Sequence, residues 1–113
     1  MEKVRLDSVW TVEETAFNPR FLAKGESTLA QGNGYMNLRC AQEESYVGQR
    51  RGAFITGTFN KALPDEVTEL PNLPDVTELF LAVNGERFAM DRGEWSDYSR
   101  ALDLRTGEVV RRL

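Results

Sequence analysis

Apolar and polar residues alternate most regularly on either side of Asn84-Gly85. Both central residues of a two-residue hairpin turn need a positive φ, which Asn and Gly tolerate, so this pair predicts a tight β-hairpin. In that register Val83 faces Glu86 and Leu81 faces Phe88. The alternation predicts one buried face, which carries Leu79, Leu81, Val83, Phe88 and Met90.

A second hairpin is predicted near the end of the chain, in "YSRALDLRTGEVVRRL". Thr106-Gly107 supplies the turn between two apolar, β-branched runs. The predicted cross-strand pairs are Arg105 with Glu108 and Leu104 with Val109.

Further strands are predicted at residues 9–14 and 52–60, which are rich in β-branched and aromatic residues. Three prolines exclude both helix and central strand from residues 62–76, which we predict to be an extended surface loop. No helix is expected beyond one turn after Asn18-Pro19, because Gly25 interrupts that segment. Short strands separated by turns indicate an all-β fold, an antiparallel β-sandwich.

The run "LAQGNGYMNLRC" places Gly32 and Gly34 around Asn33 inside an otherwise strand-like segment. All three residues tolerate left-handed backbone, so the run indicates a sharp reversal, a β-bulge, or a close approach of another group to the backbone. The glycine pattern partly matches a dinucleotide-binding turn. Asn37 stands at the third glycine position, however, and no buried parallel strand and helix flank the run, which disfavours a nucleotide site.

The composition argues against several classes of function. The 113 residues suit one domain, and a net charge of -4 disfavours nucleic acid and anionic membranes as partners. The chain has no histidine, so neither imidazole zinc sites nor a Ser-His-Asp triad can be assembled from it. Cys40 is the single cysteine, which favours a reducing, cytoplasmic location and a role as a small buried side chain. The first residues lack the apolar stretch of a signal peptide or membrane span.

Other candidate groups fit surface or core positions better than an active site. The acidic pairs Glu43-Glu44 and Asp65-Glu66, and the basic pairs Arg50-Arg51 and Arg111-Arg112, are predicted to be solvated. Five aromatic residues offer a sugar-stacking platform as an alternative to core and rim positions: Trp10, Tyr35, Tyr46, Trp95 and Tyr98. No complete catalytic site is recognised.

The order of the blocks "STLAQGNGYMNLRCAQEE", "GAFITGTFN", "ELPNLPDV", "AVNGERF" and "ALDLRTGEVVRR" resembles the N-terminal part of glycoside hydrolase family 65. The similarity runs from Trp10 to Arg112. That family contains the phosphorylases of maltose, kojibiose, trehalose and nigerose. Its members begin with a large β-sandwich, of which this chain resembles the first half, and continue into a catalytic barrel of paired α-helices.

The resemblance implies a partial N-terminal sandwich, residues 1–113, of a longer enzyme. Such an enzyme splits an α-glucosidic bond with inorganic phosphate and inverts the anomeric centre, giving β-glucose 1-phosphate. Its catalytic glutamate lies in the helical barrel, so no catalytic, cofactor or metal-binding residue is expected here. The implied partner is that barrel, and the implied contact with it comprises Gly32, Asn33, Gly34, Tyr35 and Arg39. The sequence departs from the family pattern at Met36, Asn37 and Cys40, which disfavours an especially close backbone approach there.

Two functions therefore remain open at this stage. One is an accessory domain of a disaccharide phosphorylase, and the other is a free-standing carbohydrate-binding or protein-interaction sandwich. The last run, "EVVRRL", ends while still strand-like, as the front part of a longer chain would. Such an unprotected edge invites pairing, so we expect the chain to form a homo-oligomer, a two-fold dimer, by strand addition.

Overall fold

The computed structural model describes the backbone of residues 4–113 and the side chains of residues 9–113. Within this range nine short strands all pair antiparallel, and one α-helix follows a single 3-10 helix. The predicted all-β antiparallel class is confirmed. In chain order the elements are β1 (Val4–Ser8), β2 (Thr11–Glu14), the 3-10 helix (Pro19–Phe21), α1 (Leu22–Thr28), β3 (Gln31–Gly32), β4 (Met36–Leu38), β5 (Ala53–Ile55), β6 (Ala82–Val83), β7 (Glu86–Arg87), β8 (Ser99–Asp103) and β9 (Glu108–Arg112).

The two ends of the chain build the largest sheet, which has four strands in the order β1-β2-β8-β9. Strands β3, β4 and β5 form a second sheet, and β6 with β7 forms a separate hairpin. The central pairing of β2 with β8 joins residues far apart in sequence, and it sets Val12 opposite Leu102. Leu102 also lies opposite Val109 of β9, so an apolar row crosses one face of this sheet.

Helix α1 is longer than the predicted single turn. The Asn18 side chain accepts a hydrogen bond from the Arg20 backbone amide at 3.0 Å, which caps the start of the helical segment. Pro19 follows at the first helical position, where its missing amide costs nothing. Gly25 lies inside the seven-residue helix without ending it. The prediction failed because packing against the sheet outweighs the low helix propensity of glycine.

The hairpin at Asn84-Gly85 has the predicted register. Both turn residues have a positive φ, 52° and 83°, and Val83 pairs with Glu86. The Phe88 amide donates to the Leu81 carbonyl at 2.9 Å, which extends the pairing one step further.

Its predicted buried face is largely exposed, and that part of the prediction is wrong. Leu79 is 59% exposed, Leu81 46% and Val83 61%, whereas Met90 is buried and Phe88 half-buried. The alternation describes a face that suits a core. Within residues 9–113, however, no other layer covers the first strand of the hairpin.

The second hairpin forms at the predicted place with a different register. Glu108 pairs with Asp103 rather than Arg105, and Val109 pairs with Leu102 rather than Leu104. The Asp103 carbonyl accepts from the Gly107 amide at 2.8 Å, and its carboxylate accepts from the Arg105 amide at 2.8 Å. Asp103 therefore closes a four-residue loop, a signal that the Thr-Gly pair does not carry.

The remaining strand and loop predictions hold in outline. Residues 9–14 and 52–60 contain β2 and β5, each shorter than predicted. Residues 62–76 form a mostly exposed loop, which begins with a turn closed by the Glu66 amide on the Leu63 carbonyl and carries one isolated bridge, between Glu69 and Asn60. The α-helix within residues 4–113 has seven residues, so no described helix is long enough to cross a membrane.

We expect Leu29→Ala to lower the free energy of unfolding by about 2–5 kcal/mol, because truncating a buried leucine loses transfer free energy and leaves a cavity. Leu29 is 1% exposed. Chemical denaturation would measure the change. Val47→Ala is the control, since Val47 is 99% exposed and its truncation should cost less than about 0.5 kcal/mol. Equal effects of the two substitutions would contradict this core assignment.

Candidate functional site

A row of charged side chains crosses the same face of the four-stranded sheet. Glu14 of β2 lies opposite Arg100 of β8, which lies opposite Arg111 of β9. Arg100 is 2% exposed, and like charges set directly opposite each other on a sheet destabilise it. Each arginine therefore needs carboxylates within hydrogen-bond reach.

Glu14 and Arg100 form the more deeply buried ion pair. The Glu14 Oε2 atom lies 2.9 Å from Arg100 Nη2 and accepts from Arg100 Nε at 3.0 Å. Tyr98 also donates its hydroxyl to this oxygen at 3.0 Å, and Arg100 Nη1 donates to the Cys40 carbonyl at 3.0 Å. Buried ions repay their desolvation only when their remaining hydrogen-bonding atoms are satisfied, as they are here.

Helix α1 can lie directly against this ion pair because its residue 25 is a glycine. A Cβ atom at this position would lie 2.8 Å from Arg100 Nη2 and 2.8 Å from Glu14 Oε1. The helix backbone thus lies directly on the two charged groups. This contact offsets the cost of about 1 kcal/mol that a glycine imposes inside a helix.

Arg111 organises a second cluster on the neighbouring strand. Its guanidinium donates to both carboxylate oxygens of Glu44, at 2.6 and 2.9 Å, and lies 2.6 Å from Glu43 Oε2. Burial alone would raise the pKa of Glu44, but the hydrogen bonds and charge of Arg111 outweigh it and hold that pKa below its usual range. Glu44 is therefore a buried carboxylate that stays ionised at neutral pH.

Gln42 joins the two clusters. Its side-chain amide donates to the Tyr98 hydroxyl at 2.7 Å, while its carbonyl oxygen accepts from Arg111 at 3.0 Å. Gln42 is 1% exposed. We call the continuous set of Glu14, Arg100, Tyr98, Gln42, Arg111 and Glu44 the buried network.

The buried network also holds the segment that follows the β6–β7 hairpin. The Tyr46 hydroxyl donates to Glu44 Oε2 at 3.1 Å, and the Tyr46 hydroxyl oxygen accepts from the Met90 amide at 2.6 Å. Burial raises the pKa of Tyr46 to about 12, and Glu44 contributes to that rise. The neutral phenol thus links a buried carboxylate to the backbone at Met90.

A third buried carboxylate orders the loop between β4 and β5. Glu26 lies 3.2 Å from Arg39 Nε and accepts from the backbone amides of Arg50 at 3.0 Å and Arg51 at 3.2 Å. Arg51 in turn donates to three consecutive carbonyls of the same loop and pairs with Asp75. The loop therefore closes around charged groups rather than around an apolar core.

The three buried carboxylates serve as ion-pair partners. Glu14, Glu26 and Glu44 each pair with an arginine. Burial raises the pKa of the Cys40 thiol, which disfavours the nucleophilic thiolate. Among the residues described here, no three metal-ligating side chains cluster.

Several charged residues predicted to be solvated belong to these clusters, and for them the prediction is wrong. Glu44 is 4% exposed, the Arg111 side chain is 14% exposed and that of Arg51 17%. Strand periodicity could have indicated the inward position of Arg111, because Arg111 stands two residues after Val109 and so shares its inward face. Asp65 and Glu66 are exposed, as predicted.

The glycine-rich run is a sharp reversal between β3 and β4. Asn33 donates its amide to the Met36 carbonyl at 3.1 Å, and its side chain accepts from the Tyr35 and Met36 amides. Gly34 has a φ of 83°, and no atom of the described residues lies within 4 Å of a Cβ built there. The reversal is thus the alternative that the structure shows, with Tyr35 64% exposed at its tip.

Arg39 lies apart from the other predicted contact residues. Gly32, Asn33, Gly34 and Tyr35 are exposed at the turn, whereas Arg39 follows β4 and donates to Glu26 and to the Ala23 carbonyl at 3.1 Å. The four turn residues form one surface, and Arg39 is half-buried between helix α1 and the loop. A contact between these residues and another domain stays a prediction.

The aromatic candidates for a sugar platform are separated. Tyr46 and Tyr98 pack on Phe17, with ring centroids 5.1 and 6.2 Å away, and their hydroxyls are bound within the molecule. Trp95 packs edge-on against Phe88 at 5.0 Å. Trp10 and Tyr35 lie at the turns before β2 and before β4. The core-and-rim interpretation therefore fits three of the five.

Comparisons with known proteins match almost the whole chain. Residues 12–113 match the family model described as glycosyl hydrolase family 65, N-terminal domain. Kojibiose phosphorylase of Halothermothrix orenii is 42% identical over 102 residues, which is 90% of this chain and 13% of that protein. Kojibiose phosphorylase of Escherichia coli K12 is 42% identical over 101 residues, 89% of this chain and 13% of that protein.

A more distant relative and a solved structure agree with these matches. The α,α-trehalose phosphorylase of Thermoanaerobacter brockii is 28% identical over 120 residues, 92% of this chain and 15% of that protein. A solved structure described as a putative kojibiose phosphorylase from human microbiome superposes with a TM-score of 0.84 at 23% identity. That superposition covers 97% of this chain and 16% of the other, and it supports the fold. The chain thus spans less than one sixth of each of these relatives.

We expect Arg111→Met to lower the free energy of unfolding by about 3 kcal/mol or more, because it leaves the Glu44 carboxylate buried without its cation. Arg105→Met is the matched control. Arg105 is 63% exposed and lies 3.5 Å from Asp103, so its loss should cost less than about 1 kcal/mol. Urea denaturation would measure both. A cost for Arg111→Met no larger than the control would show that the buried network does not stabilise the fold.

The same cluster predicts sensitivity to acid. Because the pKa of Glu44 is lower in the folded chain than in the unfolded one, its contribution to stability is complete above about pH 4.3 and is lost as the pH falls through the folded value. Between about pH 6 and about pH 3, we expect the free energy of unfolding of the Glu44→Gln variant to fall less than that of the unaltered chain. Parallel pH dependences would refute this assignment.

Proposed function

The chain belongs to glycosyl hydrolase family 65 as a member of its N-terminal domain family, and on that premise we propose that it is a non-catalytic packing domain of a disaccharide phosphorylase. The observation that carries the proposal is the match to two kojibiose phosphorylases at 42% identity, in which this chain corresponds to 13% of each protein. In the same proposal, residues 1–113 are the first part of a larger N-terminal sandwich.

The longer protein would perform the chemistry that the family resemblance implies. It would break an α-glucosidic bond of a disaccharide with inorganic phosphate as co-substrate and invert the anomeric centre. The catalytic glutamate would come from the helical domain. The carboxylates of the buried network support this division, because each is engaged by an arginine. Disaccharide would be bound by the longer protein only, and the single Cys40 fits a cytoplasmic location.

The shape of the chain supports a packing role. Its radius of gyration is 16.3 Å, compared with about 13 Å for a compact domain of this length. Its accessible surface is 8084 Å² for 12.8 kDa, compared with about 6,300 Å² for a compact monomer of that mass. The excess of accessible surface over that of a compact monomer is comparable to the area that one partner contributes to a large, permanent interface.

The exposed apolar face of the first hairpin is a candidate for this contact. Leu79, Leu81 and Val83, which we call the hairpin face, alternate as in a buried strand yet are about half exposed or more. Leu79 and Leu81 also line a groove of about 400 Å³ together with Phe88 and Leu113. We propose that the helical domain, or the rest of the sandwich, covers the hairpin face.

The turn formed by Gly32, Asn33, Gly34 and Tyr35 is a second contact candidate. The Thr56 amide donates to the Tyr35 carbonyl and the Thr56 hydroxyl to the Gly34 carbonyl, each at 2.8 Å. The residue that follows β5 therefore holds the turn in place. An exposed aromatic ring on a rigid turn loses little conformational entropy when it is buried at an interface.

A chimera would test the proposal. We expect the Escherichia coli kojibiose phosphorylase to release glucose 1-phosphate from kojibiose when its matching N-terminal segment is replaced by this chain. The isolated chain should release none from maltose, kojibiose, trehalose or nigerose. In the chimera, Leu81→Asp should lower soluble yield or activity at least about tenfold, because it puts a charge into the proposed contact.

Val47→Asp is the matched control, since Val47 is 99% exposed. It should leave the chimera unchanged. Two results would overturn the proposal: an active chimera indifferent to Leu81→Asp, or turnover by the isolated chain that a point substitution in it abolishes.

A further inference from the structure

Two Asn-Gly pairs occur in the sequence, and each lies in a tight turn. Asn33-Gly34 lies between β3 and β4, and Asn84-Gly85 lies between β6 and β7. Asparagine is thermally labile, most of all before glycine, because no side chain shields the glycine nitrogen from the asparagine side-chain carbonyl carbon. One molecule therefore presents the same reactive pair in two settings.

The attacking nitrogen has nearly the same surroundings in both turns. Gly34 and Gly85 are both exposed, and each has a φ of 83°. No atom of the described residues lies within 4 Å of a Cβ built at either glycine. Within residues 9–113 neither glycine amide donates a backbone hydrogen bond. A difference in reactivity must therefore come from the asparagine side chains.

The two asparagine side chains are held differently. Asn33 Oδ1 accepts from the Tyr35 amide at 3.0 Å and from the Met36 amide at 2.8 Å, which directs this side chain forward over the turn. Both hydrogen bonds must break before the side-chain carbonyl carbon reaches the Gly34 nitrogen. The Asn84 side chain makes no hydrogen bond to any residue that the structure describes, so it is free to rotate towards the Gly85 nitrogen.

We propose that Asn84-Gly85 is a site of spontaneous covalent modification, at which Asn84 becomes isoaspartate or aspartate while Asn33 is protected. The Gly85 backbone nitrogen attacks Asn84 Cγ and gives up its proton, and Asn84 Nδ2 leaves as ammonia. The product is a five-membered succinimide ring. Water then adds to one of the two ring carbonyls and opens the ring. Water is the co-reactant, and no atom is oxidised or reduced.

The modification alters the hairpin in two ways. Isoaspartate lengthens the main chain between residues 84 and 85 by one carbon atom, whereas a two-residue turn fits the twist of its strands only with the ordinary backbone. The pairing of Val83 with Glu86 and the hydrogen bond from Phe88 to Leu81 should therefore weaken. Both products also place a new carboxylate close to Glu86. The reaction belongs to the chain itself and does not depend on the phosphorylase proposal.

Ageing of the folded chain in mildly alkaline buffer tests the proposal. After digestion with trypsin, mass spectrometry follows residues 25–39, which contain Asn33, and residues 62–87, which contain Asn84, and fragment spectra assign the modified asparagine. We expect Asn84 to deamidate at least about tenfold faster than Asn33, because two hydrogen bonds restrain the Asn33 side chain. In concentrated urea the two rates should become similar, because the unfolded chain retains neither turn.

Asn84→Gly is the matched control for the effect on the hairpin. A Gly-Gly pair suits the same turn, and the variant cannot form the ring. After equal ageing, the Phe88 amide of the deamidated chain should exchange its hydrogen at least about tenfold faster than that of Asn84→Gly, because the hairpin opens more readily.

Four results would overturn the proposal. The first is deamidation of Asn33 as fast as that of Asn84 in the folded chain. The second is deamidation of both residues in urea and of neither in the folded chain. The third is an unchanged ratio of the two rates in urea, which would remove the structural cause. The fourth is equal exchange of the Phe88 amide in the deamidated chain and in Asn84→Gly. None of these readouts involves phosphorolysis, so they are independent of the chimera experiment.

Discussion

Two arginines set opposite each other on adjacent strands, Arg100 and Arg111, impose the constraint on which the structure depends. Neither guanidinium can shed its charge, and both are turned away from water, so the chain must bring carboxylates to them. Glu14 comes from the neighbouring strand, whereas Glu44 comes from a loop that must fold back over the sheet. The ordering of that loop, of the helix that rests on Arg100, and of the segment after the first hairpin follows from this requirement.

The buried network also separates interior from contact surface. Most buried polar side-chain atoms have hydrogen-bond partners, Arg51 Nε being an exception, and large apolar side chains that a domain of this size would bury are instead exposed on the hairpin face and along β9. A chain with so few buried apolar residues gains little from hydrophobic burial. Its specificity comes from matched hydrogen bonds, which hold the exposed surfaces in a defined arrangement. This distribution supports the proposed packing role.

Local signals sufficed for the antiparallel class, the position of both hairpins and the reversal at Asn33-Gly34, because turn residues and strand periodicity are encoded in short stretches. Three features could not be predicted from the sequence. The loop at Asp103 depends on side-chain capping, and helix α1 depends on packing that a glycine makes possible. The pairing of Arg111 with Glu44 depends on a long-range contact. The apolar pattern at Leu79 and Leu81 was recognised correctly, but a pattern shows that a face suits burial and not that anything in the same chain covers it.

Native-state hydrogen exchange would test most directly whether the buried carboxylates, Glu44 through Tyr46 and Glu26 by itself, hold the loops in place. The Met90 amide donates to Tyr46, and the Arg50 and Arg51 amides donate to Glu26. If these side chains hold their segments, the three amides should exchange with opening free energies equal to that of the Leu102 amide in the central strand β8. Exchange of all three at rates typical of mobile loops, while Leu102 stays protected, would contradict the account.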